Sequence, residues 1–374
     1  MKHTATELAT PVDRVFLWTV LALVLLGTWV ALSAMGSTLG PESGGTLGGI
    51  FVRRLAHVAI GLVVLALFSR LDYHLVARWS RLAAPLSLVL VGGVLLLKGS
   101  LSASARWLEV AGLTFQPSEI ARVALLVFLA TLLERKQRYI REMDRALLPA
   151  LFWIGLGAFL LGLSSLSAAL LLILSSFLLL ILARIPFRQL VLLGVLGAAL
   201  VGFALWQGPY RWERLERFYA LLRGEKLDVL GEDYQVVQSL IAVANGGILG
   251  VGMGKSLQRD FLPLPYNDFV FAILAEEYGL VGAAGVMGLF LMLFVRGIFF
   301  IAPRAPDTLG LFLAAGLVGN LVLQALTHAF ITLALAPVTG QTLPFVSHGG
   351  TALVVSCAQS GIVLNVSRQA RRRG

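Results

Sequence analysis

Asp268 stands where a long polar segment meets an apolar run, in the stretch FLPLPYNDFVFAILAEEYGLVG, and Glu276 and Glu277 follow about two helical turns further in. Carboxylates at the edge of, or within, an apolar helix are costly unless they have partners or a task. Asn267 or Asp268 is suited to cap the coming helix. Asp268 is equally suited to act as a general base held by a rigid helix start, and the two roles are compatible. Glu276 and Glu277 are adjacent and point to different faces, so at least one looks into the protein interior. A structural ion pair with an arginine is the expected role there, with catalysis second.

Other chemistry-bearing residues are scattered through the chain. In FQPSEIAR, Glu119 and Arg122 are three residues apart and can pair along one helix face. The alternative is that Arg122 projects toward Asp268, lowering its pKa or binding a phosphate. Just upstream, Arg106 and Trp107 either meet a polar headgroup or anchor a membrane interface. Gln235, Gln238 and Ser239 lie on a weakly amphipathic helix, QVVQSLIAVA, suited to a membrane surface. GVGMGKS resembles a phosphate loop, but Leu249 stands where that pattern needs glycine, so its glycines are expected to form a flexible turn. Ser347 and His348 suggest a hydrolase with Asp268 as third member, yet no nucleophile-elbow context surrounds them. His328, inside a span, reads as a satisfied bundle residue. No His–Glu pattern marks a metal site.

The elements that must hold these residues are apolar helices. Of 374 residues, 58% are hydrophobic and 13% charged, which excludes an ordinary soluble domain. Runs of about twenty apolar residues predict a multi-pass, all-α membrane protein. The 39 glycines fit close helix approach in lipid. A net charge of +10 in a soluble chain would suggest nucleic acid, but here the arginines sit in short loops and serve topology. One cysteine, Cys357, excludes an internal disulfide. The first apolar run is long enough to span and reads as a signal anchor.

About ten spans are expected: 14–34, 52–69, 82–97, 117–133, two within 147–183 with a tight turn at Ser164 and Ser165, 187–205, 268–301, 308–330 and 351–367. They form a single integral membrane domain over 1–374, with 206–267 as one long extracytoplasmic loop before the eighth span. Short-loop arginines place both termini in the cytoplasm and Asp268 outside. Arg53 and Arg54 dissent from that count. No inverted repeat is visible, which weakens a transporter reading.

Four blocks in order resemble one family, the bacterial shape, elongation, division and sporulation (SEDS) proteins: ARWLEVAGLTFQPSEIAR, YQVVQSLIAVANGGILGVGMGKS, FLPLPYNDFVFAILAEEYGLVG and TLPFVSHGG. With the ten-span layout the resemblance covers nearly the whole chain. GQTLPFVSHGG is closer to the division branch, FtsW, than to the elongation branch, RodA.

The resemblance implies a peptidoglycan glycosyltransferase that polymerises lipid II on the outer face of the bacterial cytoplasmic membrane. Asp268 then matches the family's essential aspartate, the base that activates the acceptor hydroxyl. Attack on the anomeric carbon displaces undecaprenyl pyrophosphate with inversion. Arg122 falls where the family usually has lysine; it keeps the charge but carries no transferable proton. Arg106, Trp107, Glu119, Gln235, Gln238, Ser347 and His348 fall on motif positions and are expected to bind substrate, with Glu276 and Glu277 structural. Two departures stand out: LSSLSAALL replaces a common Gln-Pro-Asp-x-Gly-Thr-like motif, and His348 replaces a tyrosine. The implied partners are lipid II, a class B penicillin-binding protein and other divisome or elongasome membrane proteins, with no nucleic acid. Whether a divalent cation such as Mg2+ assists the leaving group stays open. A lipid II flippase and a non-catalytic scaffold are the rival classes.

Overall fold

The computed structural model describes residues 12–35, 47–98, 108–110, 113–206, 209–225, 228, 231 and 233–370. Its helices are α1 (Arg14–Ala34), α2 (Leu47–Arg70), α3 (Tyr73–Lys98), α4 (Pro117–Arg135), α5 (Leu148–Ser164), α6 (Leu166–Leu182), α7 (Phe187–Trp206), α8 (Pro209–Leu222), α9 (Tyr234–Gly246), α10 (Val270–Val295), α11 (Thr308–Thr332) and α12 (Gly350–Arg368). A small antiparallel hairpin, β1 (Leu108–Val110) and β2 (Leu113–Phe115), pairs Glu109 with Thr114 ahead of α4.

Among the described residues, seven helices are long and apolar enough to cross a membrane, and α6 and α7 supply shorter apolar ones. Adding α4, which carries Glu119 and Arg122 within its 19 residues, gives the ten expected from the sequence. The predicted turn at Ser164 and Ser165 is real: Ser165 is extended, and its hydroxyl caps α6 by accepting from the Ala168 N–H at 3.4 Å. Elsewhere the helices outrun their apolar cores. α3 starts at Tyr73, so Arg78 and Arg81 are helical rather than in a loop. Arginine is a good helix former, and its long stem reaches water from a helix end.

One end of the bundle is tied by polar contacts between distant segments. The Tyr73 N–H donates to Asn365 Oδ1 at 3.0 Å, and Arg296 pairs with Asp13 at 2.6 Å. His74 bridges Asp72 at 2.8 Å and Asp307 at 2.7 Å. The opposite end carries Asp268, α8, α9 and the segment 333–349.

α10 is broken on entering that second end. Gly279 has φ 64° and ψ −163°, a conformation with no place in a helix. The turn after α9 fills the break: the Val251 and Gly252 N–H groups donate to the Glu276 and Glu277 carbonyls at 3.0 Å each. In return the Leu280 N–H donates to the Gly247 carbonyl at 2.9 Å, and Val281 to Ile248 at 3.2 Å. A side chain at Gly279 would meet the Gly250 nitrogen and the Ile248 carbonyl oxygen, each 2.4 Å from its Cβ. Within GVGMGKS, Gly250 and Gly252 therefore belong to a packed splice between two backbones, not to the flexible turn expected from the sequence.

Candidate active site

Asp268 is half-buried in a tight turn, where the Asn267 and Asp268 N–H groups both donate to the Leu264 carbonyl, at 3.0 and 3.2 Å. It does not cap α10; Phe269 holds that position and makes no side-chain cap. Burial and the negative charge of Asp268 beside it raise the Tyr266 phenol above its ordinary pKa.

The turn is held from the segment 343–349. Ser347 Oγ donates to the Asn267 carbonyl and accepts from the Leu343 N–H, both at 2.8 Å. The His348 N–H donates to the Tyr266 carbonyl at 2.9 Å, and its ring packs edge-on against Tyr266 at 5.8 Å. Ser347 and His348 therefore position the turn through its main chain and form no Ser–His nucleophile pair. Burial, with the nearby Arg54 charge, lowers His348 to a pKa of about 3, so it is neutral at physiological pH.

Arg54, an exception to the positive-inside pattern, underlies this arrangement. It is fully buried on α2 and donates to three successive carbonyls: Ser347 at 2.8 Å, Phe345 at 3.1 Å and Val346 at 3.4 Å. From the other side, α1 touches the same backbone at Gly27, where a Cβ would lie 2.4 Å from Val346 Cα. Phe345 (φ 64°) and Leu264 (φ 51°) adopt left-handed backbone without being glycine. Such strain persists only where surroundings enforce it, and it clusters at functional sites. The available signal for Arg54 was its breach of the positive-inside pattern.

Arg122 is also fully buried, and its Nη2 donates to Glu119 Oε2 at 2.6 Å and Gln324 Oε1 at 2.8 Å. The local pair expected from the spacing is formed, and no salt bridge joins Arg122 to Asp268. Its buried Nε and Nη1 have no hydrogen-bond partner. Gln324 continues the network to the Thr342 carbonyl at 3.0 Å, and His328 Nδ1 contacts the Gln341 carbonyl at 2.7 Å. Gln341 donates to Ser167 at 2.8 Å, so the LSSLSAALL departure supplies a polar tie between α6 and the segment 339–342.

Glu276 and Glu277 are buried; the hydrogen bonds they accept come from hydroxyls and amides, and the Arg259 charge also acts on Glu277. Glu276 accepts from the Ser256 hydroxyl and from the Gln258 N–H at 3.2 Å. Glu277 accepts from the Ser33 hydroxyl at 2.5 Å and the Gly254 N–H at 3.0 Å. Gln235 lines a cavity beside α8, and Gln238, half-buried on α9, is not among the residues lining it. Ser239 donates to the Thr332 carbonyl at 2.8 Å. Arg106 and Trp107 lie outside the described residues. Among the described residues, no group of three His, Cys, Asp or Glu side chains converges as a metal site.

A broken-helix bundle with a half-buried aspartate turn, bonded to a segment that the buried Arg54 grips, defines a polytopic membrane protein with a polar site at one end. The chain belongs to the FtsW/RodA/SpoVE family of cell cycle proteins, whose family model matches residues 13–372. It is 36% identical over 328 residues to Stage V sporulation protein E of Bacillus subtilis, covering 85% of this chain and 87% of that protein. It is 31% identical over 363 residues to the Geobacter sulfurreducens protein named "Probable peptidoglycan glycosyltransferase FtsW", covering 92% and 94%. Among solved structures, a chain from a study of how a peptidoglycan synthase complex coordinates polymerization and crosslinking superposes with TM-score 0.75. It shares 30% identity, over 96% of this chain and 98% of that one. The rod shape determining protein RodA of Thermus thermophilus gives TM-score 0.67 at 27% identity, over 97% and 99%.

Proposed function

We propose that the chain is a peptidoglycan glycosyltransferase that polymerises lipid II, with Asp268 as the general base. The observation that carries this reading is the half-buried Asp268 turn, clamped through its main chain by Ser347 and His348 and leaving the carboxylate off the helix cap. The relatives' names, and the membership of a similar chain in a peptidoglycan synthase complex, supply the substrate class.

In this reading Asp268 takes the proton from the acceptor hydroxyl as that oxygen attacks the anomeric carbon of the lipid-linked sugar. The carbon–oxygen bond to undecaprenyl pyrophosphate breaks, and the electron pair leaves with the pyrophosphate. One displacement inverts the anomeric centre.

Lysine and arginine concentrate between α4 and α5, at Arg135, Lys136, Arg138, Arg141 and Arg145, and in the tail. The positive-inside rule then puts both termini in the cytoplasm and Asp268 on the outer face. A class B penicillin-binding protein is the proposed partner, among other membrane proteins of division or elongation.

The test is to supply the purified chain, with its penicillin-binding partner, with labelled lipid II. Glycan strands are the expected product. Faster transbilayer movement of lipid II without strands would replace the polymerase by a flippase; neither activity would leave a scaffold.

A further inference from the structure

The cavity beside α8 is not explained by the chemistry at Asp268. It encloses about 320 Å3 between α8, the start of α9, Pro263 and the segment 334–338. Arg214, Arg217, Phe218 and Leu221 line it, and their i, i+3, i+4, i+7 spacing makes them one continuous face of α8. Opposite stand Asp233, Tyr234 and Gln235 from the first turn of α9. Arg214 is oriented by its Nη1, which donates to the Val338 carbonyl at 2.7 Å.

The wall composition selects a ligand class. Two arginines are matched by two acids, Glu213 and Asp233, so the lining has no net positive charge to hold a phosphate. What remains is a set of planar polar groups beside an aromatic pair, Phe218 and Tyr234. Pyranose rings present that pattern in complement: hydroxyl and amide edges for paired hydrogen bonds, and C–H faces for aromatic surface.

The cavity is also placed beside the candidate base. Pro263 lines it, and Leu264, the next residue, accepts from the Asp268 N–H at 3.2 Å. The cavity wall thus joins the Asp268 turn through the main chain, on the same end of the bundle.

We propose that this cavity is a subsite for N-acetylated amino-sugar units adjoining the reacting sugar, read by Arg217, Gln235 and the aromatic pair. The inference rests on the glycosyltransferase reading for the identity of the sugars. The occupant is either the strand being extended or the incoming disaccharide, which share this chemistry.

The probe is a lipid-free tetrasaccharide of alternating N-acetylglucosamine and N-acetylmuramic acid, titrated calorimetrically into the chain in nanodiscs. Saturable binding is expected, weakened about tenfold by Arg217→Ala and by Gln235→Ala, and less by Arg217→Lys, which keeps charge but loses the planar fork. Thermal unfolding of each variant checks that it is folded, and Gln235→Ala, the smaller change, serves if Arg217→Ala is not. Absence of saturable binding, or equal affinity in folded variants, overturns the subsite. Competition by inorganic pyrophosphate at similar affinity overturns the saccharide class. Shorter strands from Arg217→Ala assign the cavity to the growing strand; a raised half-saturation for lipid II at unchanged strand length assigns it to the incoming disaccharide. Saturable tetrasaccharide binding by a wild-type chain that makes no strands would keep this inference and overturn the polymerase reading, so the two fail separately.

Discussion

Asp268 is useful because other residues do the holding. Its turn is fixed through the Tyr266 and Asn267 carbonyls, so the hold is on the main chain. Arg54 stands two contacts back, gripping the carbonyls of 345–347. Arg54→Ala leaves three buried carbonyls without their donor, at a cost of about 3 kcal/mol or more. The expected result is a lower thermal midpoint together with a fall in turnover, both partly restored by Arg54→Lys. Turnover unchanged in a folded Arg54→Ala protein would disconnect Arg54 from the Asp268 turn.

His348 gives a pH signature at the same scale. Its folded pKa, about 3, lies below the ordinary value of 6.5 because burial and the Arg54 charge oppose protonation. Above 6.5 neither the folded nor the unfolded chain protonates it, and its contribution is fully present. As pH falls from 6.5 toward 3 only the unfolded state takes the proton, so stability is lost. The thermal midpoint in detergent is expected to drop with acid over that window, and to drop less steeply in His348→Gln. Parallel slopes for the two proteins would contradict the assignment.

At the scale of elements, the break in α10 organises the second end of the bundle. Gly279→Ala forces a Cβ into the Gly250 nitrogen and Ile248 carbonyl at a positive φ, and should destabilise by about 1–3 kcal/mol. Gly288→Ala, in the same helix with nothing within 4 Å of its Cβ, is expected to be neutral or stabilising by up to about 1 kcal/mol. Thermal unfolding of the two variants side by side reads the difference. Similar midpoints would mean that the splice contributes nothing.

The elements also show what a sequence can disclose. The double span over 147–183, with its turn at Ser165, was legible because a mostly apolar run of 37 residues cannot fit one bilayer crossing. The Glu119–Arg122 pair was legible because helical spacing is local. The splice at Gly279 was not, since it depends on main-chain bonds to a turn some thirty residues earlier. Nor were the partners of Glu276 and Glu277, which come from the loop 254–258 and from Ser33 on α1. Buried carboxylates suggested an arginine; the hydrogen bonds they accept come from hydroxyls and amides. Arg54 was visible only as an exception to a charge rule.

For the whole molecule the open matter is orientation. The chain has one cysteine, Cys357, which is buried, so a membrane-impermeant maleimide should find no native background. Asp260, near the Asp268 turn, and Arg304, at the far end of the bundle, are both exposed. Asp260→Cys is expected to label in intact cells and Arg304→Cys only after permeabilisation. The reverse pattern would put Asp268 in the cytoplasm and remove its access to an outward-facing lipid-linked sugar.

The account as a whole stands on one carboxylate, and the most direct measurement is the initial rate of lipid II polymerisation by Asp268→Asn against wild type. Asparagine keeps the size and polarity of the side chain and removes its basicity. The predicted result is a rate lower by about 100- to 10,000-fold with the thermal midpoint unchanged. Polymerisation at the wild-type rate by Asp268→Asn would contradict the assignment of the base.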